Sequence, residues 1–290
     1  MNTQLVIPSI NFHLWEPCNM RCKFCFATFQ DVKQTILPKG HLPKEEALEV
    51  VREIAKAGFK KITFAGGEPT LCPWLPELIR EAKNKGLTTM IVSNGSKLTN
   101  QFLAQNKQYL DWIAISIDSL DSRTNLKIGR AITGKKPLTK AYYINLIKKI
   151  EEYGYGLKIN TVVNAYNYKE DFNVFINQTN PKRWKVLQVL PIEGQNDDDD
   201  KVDEFKISET QFSEFISRHK NIQSIVPEYN DDITNSYVMI DPAGRFFSNE
   251  KGKHEYSEPI LDVGIKEAFA SRNYNYSKFI NRKGLYNWTN

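Results

Sequence analysis

Cysteine is scarce: four in 290 residues cannot form the disulfide framework of a chain this large. No stretch approaches eighteen consecutive apolar residues, so no membrane-spanning helix is expected. The opening MNTQLVIPSINFHLW has no charged start, apolar run or small-residue cleavage site, which argues against a signal peptide. These absences point to a cytoplasmic protein with reduced thiols, where clustered cysteines serve metals or redox chemistry. A dominant charge is missing too. The 39 Lys and Arg against 34 Asp and Glu leave +5, which permits an anionic ligand but falls short of a surface that coats nucleic acid. What is present is an ordinary globular composition, 41% hydrophobic and 25% charged, able to bury a sizeable core as one α/β barrel or two smaller domains.

Between Pro43 and Gly58, Ala47, Val50, Val51, Ile54 and Ala55 recur at helical spacing behind a proline start and before a glycine stop, which predicts an amphipathic helix. Lys60 to Ala65 (KKITFA), short and partly β-branched, predicts a strand running into a tight turn at Gly66 and Gly67. The alternation continues with helices near 74–85, 99–108, 139–153 and 169–178 and strands at 87–93, 112–118, 156–163 and 183–190. With an opening strand near 8–14, six strands are joined by helices. Such alternation calls for a parallel sheet, doubly wound or curled, and six units favour an open, partial (βα)6 barrel over residues 1–190. Beyond Leu190 the pattern fails. Asp197 to Asp200 read as a solvated loop, a helix is expected near 208–219, and the tail carries one short helical pattern, IKEAFASRN, but no other regular fold. Residues 191–290 are therefore expected to be an extension of the same structural unit that closes over one end of the barrel.

Cys18, Cys22 and Cys25 form C-x3-C-x2-C in the loop after the first strand. For this cysteine usage the spacing arises by chance on the order of once in ten thousand. Pro, Asn, Arg and Lys lie in the segment EPCNMRCKFC, which has no strand or helix period, so the three are not merely small core residues. A structural zinc site wants four ligands, and His13, His41, His219 and His254 are scattered, which leaves zinc as the weaker alternative. Three thiolates suit a 4Fe-4S cluster with one iron left without a protein ligand. Cys72 reads as a buried bystander.

Strand alternation then indicates what lines the barrel, because residues two apart share a face. In 112–118, Ile113, Ile115 and Ile117 should meet the helices, while Ala114, Ser116 and Asp118 face the lumen. The same split turns Lys158, Asn160, Val162 and Asn164 inward, places Arg183, Lys185 and Leu187 together, and sets Lys61 and Thr63 opposite Ile62 and Phe64. Lys61, Lys158, Arg183 and Lys185 can thus point into one cavity. Burying four cations costs several kcal/mol each without partners, and the sequence offers chiefly Asp118 and Glu68 as internal counter-charges. A polyanion such as a di- or triphosphate satisfies them; the alternative is that they reach the rim and snorkel into water.

The triplet, with Phe24 before its last cysteine, and GGEP after the second strand resemble the radical S-adenosylmethionine superfamily. The resemblance implies that the open iron chelates S-adenosylmethionine and that one-electron reduction cleaves it to methionine and a 5′-deoxyadenosyl radical. It also implies cofactor contacts from Gly66, Gly67, Glu68 and Pro69 at the methionine end and from Asn94, Ser116 and Arg130 near the nucleoside. Within the superfamily, NFHLWEPCNMRCKFCF, KKITFAGGEP, VSNGS, LDWIAISIDS, IGR, LKINTVVN, NPKRWKVLQVLPIEG, SYVMIDPAGRF and PILDVG resemble the viperin family in order, over roughly residues 8–288. The likeness is to its soluble prokaryotic members, so no membrane attachment is expected.

That family resemblance implies dehydration of a ribonucleoside triphosphate, CTP foremost and UTP or GTP otherwise, to the 3′-deoxy-3′,4′-didehydro nucleotide, an antiviral chain terminator. The radical takes the 4′ hydrogen, the 3′ hydroxyl leaves as water, and one further electron and proton complete the product. Lys61, Lys158, Arg183 and Lys185 are implied to grip phosphates, Asn11 and Asn160 to contact ribose or base, and Tyr237 to be the catalytic donor of the final hydrogen or proton. Arg282 and Lys283 in FINRKGLYNW are implied to close over the triphosphate, and Lys253, followed by His254, to supply a phosphate contact from the basic turn before ILDVG. A reductant such as flavodoxin or ferredoxin is the expected partner, and the chain is expected to be a monomer. The rival reading keeps the radical chemistry and changes the substrate to another phosphate ester, such as a nucleotide sugar.

Overall fold

A computed structural model describes residues 7–197 and 202–288, so Asp198 to Asp200 of the acidic run lie outside the described residues. Strands form on the runs rich in Val, Ile and aromatic residues and on a few short, more polar segments. They are β1 (Ser9–Trp15), β2 (Lys61–Gly66), β3 (Thr88–Ser93), β4 (Trp112–Ser116), β5 (Ala131–Ile132), β6 (Lys136–Pro137), β7 (Gly156–Val163), β8 (Arg183–Gln188), β9 (Ile225–Glu228), β10 (Val238–Ile240), β11 (Arg245–Ser248) and β12 (Glu255–Pro259). The helices are α1 (Lys44–Lys56), α2 (Leu75–Asn84), α3 (Asn100–Asn106), α4 (Ser122–Lys127), α5 (Lys140–Glu152), α6 (Asn173–Thr179), α7 (Glu209–Arg218), α8 (Asn230–Ile233), α9 (Ile260–Val263), α10 (Ile265–Ala270) and α11 (Tyr276–Asn281).

The six expected strands are β1, β2, β3, β4, β7 and β8, and they lie side by side in that order, all parallel. Crossover helices cover their outer face: Val50, Val51 and Ile54 of α1, Leu78 and Ile79 of α2, and Leu146, Ile147 and Ile150 of α5 share one core with Ile62, Phe64, Ile113, Ile115 and Ile159. That burial is the main stabilising term. Thr99 and Thr139 cap α3 and α5 by accepting from the N–H groups of Phe102 and Tyr142, each at 3.1 Å.

The tail departs from expectation. It is not irregular: β9 pairs parallel with β8, β10 pairs parallel with β1, and β11 and β12 extend the β10 side antiparallel. The ten-stranded sheet therefore runs β12-β11-β10-β1-β2-β3-β4-β7-β8-β9 and curls into a partial barrel in which β9 and β10 are not neighbours. Strands of three or four residues have too little alternation to stand out in sequence; docking on an existing sheet edge supplies their order.

Tyr286 and Trp288, near the end of the described chain, sit under the N-terminal ends of the strands. They pack on Met90, Trp112 and Ala114, and Trp112 Nε1 donates to the Trp288 carbonyl at 2.7 Å. Ala114, expected on the lumen side, is thus covered from below. Among the described residues no helix is long and apolar enough to cross a membrane.

Candidate active site

Inside the curled sheet lies a cavity of about 700 Å³. At the C-terminal end of β1 the cysteine loop crosses its mouth, and Cys18, Cys22 and Cys25 all line it, none in a disulfide. The loop is clamped from two sides. Glu68 N–H donates to the Pro17 carbonyl at 3.0 Å, and Arg21 and Lys23 N–H donate to the Gly129 and Ile128 carbonyls, each at 3.1 Å. Gly129 has φ +77° and lies so near the loop that a β-carbon would stand 2.8 Å from the Arg21 carbonyl carbon. Phe24 is buried and holds the loop to the core, where its carbonyl accepts from Asn196 Nδ2 at 3.0 Å.

Gly66 and Gly67 line the cavity beside this loop, while Glu68 does not. Its buried carboxylate accepts from the Thr70 hydroxyl at 2.5 Å, the Ser93 hydroxyl at 2.8 Å and the Asn94 N–H at 2.7 Å. Glu68 therefore fixes the turn that presents the two glycines, and Pro69 opens the short 3-10 turn after it. Asn94, Ser116 and Arg130 line the same end. Burial disfavours the Arg130 charge, but Asp118, in an ion pair with Arg130 Nε, and Cys22 outweigh it and raise its pKa.

The opposite end is cationic. Lys61, Lys158, Arg183 and Lys185 all line the cavity and are at most 9% exposed, so the facing pattern holds and they do not reach the rim. Arg282 joins them from the C-terminal segment at 6% exposure. Burial first, then the neighbouring cations, lowers the Lys61 pKa; for Lys158 burial and Arg183 bring it to about 7. Lys61 donates to the Tyr286 hydroxyl at 2.5 Å, and Arg183 donates to the Lys283 carbonyl at 2.7 Å with its guanidinium 4.5 Å from the Tyr286 ring. Asn11, Asn160 and Tyr237 also line the cavity, and Asn160 Oδ1 is buried with no hydrogen-bond partner among the described residues.

Several sequence expectations need correction. The internal counter-charge among these cations is Glu228, at the end of β9, not Asp118 or Glu68: its Oε1 lies 2.9 Å from Lys185 Nζ and 3.5 Å from Arg282 Nη1. Lys253 and Lys283 are exposed and do not line the cavity. Lys253 lies in a parallel bridge with Glu193, and Lys283 sits in a left-handed turn at φ +56° that offers its carbonyl, not its ammonium, inward. His254 packs against Phe29 and Phe247. Asn164 is buried in its own turn, where Oδ1 accepts from the Tyr166 N–H at 3.0 Å. Tyr286 and His13 line the cavity and were not anticipated; His13 sits two residues from Asn11 on β1, the one signal that could have found it.

Comparison with known proteins agrees with this geometry. The family model of the Radical SAM superfamily matches residues 15–178. A protein of Flammeovirga pacifica described as an S-adenosylmethionine-dependent nucleotide dehydratase is 59% identical over 98% of this chain and 97% of its own length. The chain belongs to the radical S-adenosylmethionine superfamily and, within it, to the viperin family. A Lacinutrix mariniflava viperin relative with the same description is 68% identical over 97% of this chain, which spans 59% of that longer protein. The Danio rerio relative, S-adenosylmethionine-dependent nucleotide dehydratase RSAD2, is 38% identical over 97% of this chain and 78% of its own. Among solved structures, native anSMEcpe with bound AdoMet superposes with a TM-score of 0.65 at 14% identity, over 90% of this chain and 80% of that one, which supports the partial-barrel fold.

A viperin carries a 4Fe-4S cluster and S-adenosylmethionine, and the residues fit both. Burial pushes the Cys18 thiol up to about 11 and Cys22 up to about 12, so without a cation at the site these thiols stay protonated; the cluster's iron would favour their thiolate form. Among the described residues no three His, Cys, Asp or Glu side chains converge on a point that could hold a single metal ion. Three free thiols lining one cavity suit a cluster, whose ligands bind different irons. Gly66 and Gly67 line the cavity beside them.

Proposed function

We propose that the cavity binds a ribonucleoside triphosphate, CTP foremost, and that the chain dehydrates it to the 3′-deoxy-3′,4′-didehydro nucleotide. The observation that carries this reading is the set of five buried cations, Lys61, Lys158, Arg183, Lys185 and Arg282, at the end of the cavity away from the cysteine loop. Glu228 pairs with Lys185 and Arg282 of the five, and a polyanion would balance the charge that remains. Arg183 and Lys185, two apart on β8, set a planar fork beside a point charge, which suits adjacent phosphates.

When bound, the cluster and S-adenosylmethionine supply a 5′-deoxyadenosyl radical able to take the 4′ hydrogen of the ribose. The chain's own part is to hold the pieces. Gly66, Gly67, Asn94, Ser116 and Arg130 would seat the cofactor, with Glu68 fixing the turn. Asn11 on β1 and Asn160 on β7, both lining the cavity, would orient ribose and base. Tyr237 would supply the last hydrogen or proton once the 3′ hydroxyl has left as water. The segment from Arg282 to Trp288 would cover the phosphate end, as the working part of residues 191–290. A reductant such as flavodoxin or ferredoxin would deliver the electrons.

The test is incubation of reduced, cluster-loaded protein with each of the four common ribonucleoside triphosphates and S-adenosylmethionine. The expected result is faster release of 5′-deoxyadenosine with one of them, CTP foremost, and a nucleotide lighter by one water in the mass spectrum. No acceleration by any triphosphate would overturn the reading.

A further inference from the structure

The curled sheet is not closed by backbone pairing between β9 and β10. Side chains bridge that seam. Tyr237, just ahead of β10, donates its hydroxyl to Glu228 Oε2 at the end of β9. The other oxygen of the same carboxylate lies 2.9 Å from Lys185 Nζ and 3.5 Å from Arg282 Nη1. The Tyr237 ring is held between the same two cations, with the Arg282 guanidinium 3.6 Å and Lys185 Nζ 4.3 Å from its centroid. Arg282 is tied down further by donating to the Ser236 carbonyl at 2.9 Å.

We propose that Glu228 is a positioning residue for the nucleotide reaction: it fixes the Tyr237 hydroxyl, and it shares Lys185 and Arg282 with the substrate's phosphates. The inference rests on the nucleotide reading above. Its physical basis is that one fully buried carboxylate serves two masters. With Oε2 it accepts the phenol's hydrogen and so sets where that oxygen lies. With Oε1 it competes with phosphate for the two cations, so phosphate binding is felt at Tyr237 through a single rigid group. Burial would raise the Glu228 pKa, but Lys185 and Arg282 outweigh it and keep the group anionic. Glu228 itself does not line the cavity, which makes it a support for Tyr237 and not a group that touches substrate.

The test uses the full, cluster-loaded chain with Glu228→Gln, Glu228→Asp, Tyr237→Phe and the double variant Glu228→Gln/Tyr237→Phe. Two quantities are read: the dissociation constant of the triphosphate, and dehydrated nucleotide formed per 5′-deoxyadenosine released. Gln removes the competing negative charge, so triphosphate binding should tighten about threefold or more while the product ratio falls at least tenfold. Asp keeps the charge but draws it back from Tyr237, so the ratio should fall without tighter binding. The double variant should be no worse in ratio than Tyr237→Phe alone, because both act through one phenol. If Gln weakens binding and ratio together, Glu228 is only a structural counter-ion and the proposal is overturned. An unchanged ratio, or additive losses in the double variant, overturns it as well. Should Gln not fold, the Asp variant alone decides by its ratio. A parent protein that no triphosphate stimulates would instead sink the nucleotide reading itself.

Discussion

Gly67 and the carbonyl of Glu16 are packed so closely that no β-carbon fits between them. A β-carbon on Gly67 would stand 2.5 Å from the Pro17 carbonyl oxygen and nearer still to that of Glu16. Both carbonyls belong to the segment that leads into the cysteine loop, and backbone offers no flexible end to move aside. Gly67→Ala should therefore displace the loop, not merely crowd the cofactor. Iron and sulfide per chain after anaerobic reconstitution should fall below half of the parent value. A variant that keeps full iron while losing only S-adenosylmethionine affinity would contradict this account.

Lys158 illustrates function held against stability. It is buried, and among the described residues it has no hydrogen bond and no ion pair within 4 Å; Glu228 attracts its charge only from farther off, while Arg183 and Arg282 repel it. Lys158→Met keeps the stem and removes the charge, so the folded protein should gain stability, by about 1–4 kcal/mol on the precedent of buried charges replaced by apolar side chains. Triphosphate binding should weaken at least tenfold. Thermal unfolding and equilibrium dialysis check the two halves, and a variant that loses both stability and binding would show that the ammonium contributes to the fold of the ligand-free protein.

Nucleotide binding should take up protons. Lys61, Lys158 and Lys185 all sit below their ordinary pKa, mainly because burial disfavours the ammonium, and Lys158 lies at about 7. A bound polyphosphate favours the charged form and raises these values. At pH 8, above the lowered value for Lys158 and below the usual lysine range, the free site is short of protons and the complex is not. Calorimetry in buffers of different ionisation enthalpy should show uptake of about one proton at pH 8, from Lys158, and less at pH 6, with affinity falling as pH rises between them. The stability sign is the reverse: the cost of burying charged Lys158 is full below about pH 7 and fades toward pH 10, so the free protein should become more stable over that interval from this group.

The parts of this site that could be read from sequence are those encoded locally. Cysteine spacing, the glycine turn and strand alternation each involve neighbours within about eight residues, so Cys18 to Cys25, Gly66 and Gly67, and Lys158 with Asn160 fell where expected. Glu228 could not be found that way. It lies on a four-residue strand, and its partners Lys185 and Arg282 come from β8 and from the turn after α11. Lys283 shows the opposite failure: it adjoins Arg282 in a matching motif, yet a left-handed turn sends consecutive side chains to opposite sides, one buried and one in water. Motif identity fixed the segment, and local backbone geometry chose the residue.

The Asp118 and Arg130 pair separates structural from cofactor roles most cleanly. Both are nearly inaccessible, Asp118 also accepts the Val162 N–H at 2.8 Å, and Arg130 lines the cavity beside the cysteines. Asp118→Asn leaves the guanidinium buried without its counter-charge, which should cost about 3–5 kcal/mol in denaturant unfolding. Asp118→Leu combined with Arg130→Met removes both charges and should recover stability to within about 1 kcal/mol of the parent, since a buried ion pair gains little over well-packed apolar groups. If Arg130 also contacts the cofactor's nucleoside, that double variant should still bind S-adenosylmethionine at least tenfold more weakly in equilibrium dialysis. Recovery of affinity along with stability would assign Arg130 to the fold alone, because only a group that touches the cofactor loses binding after the charge balance has been restored.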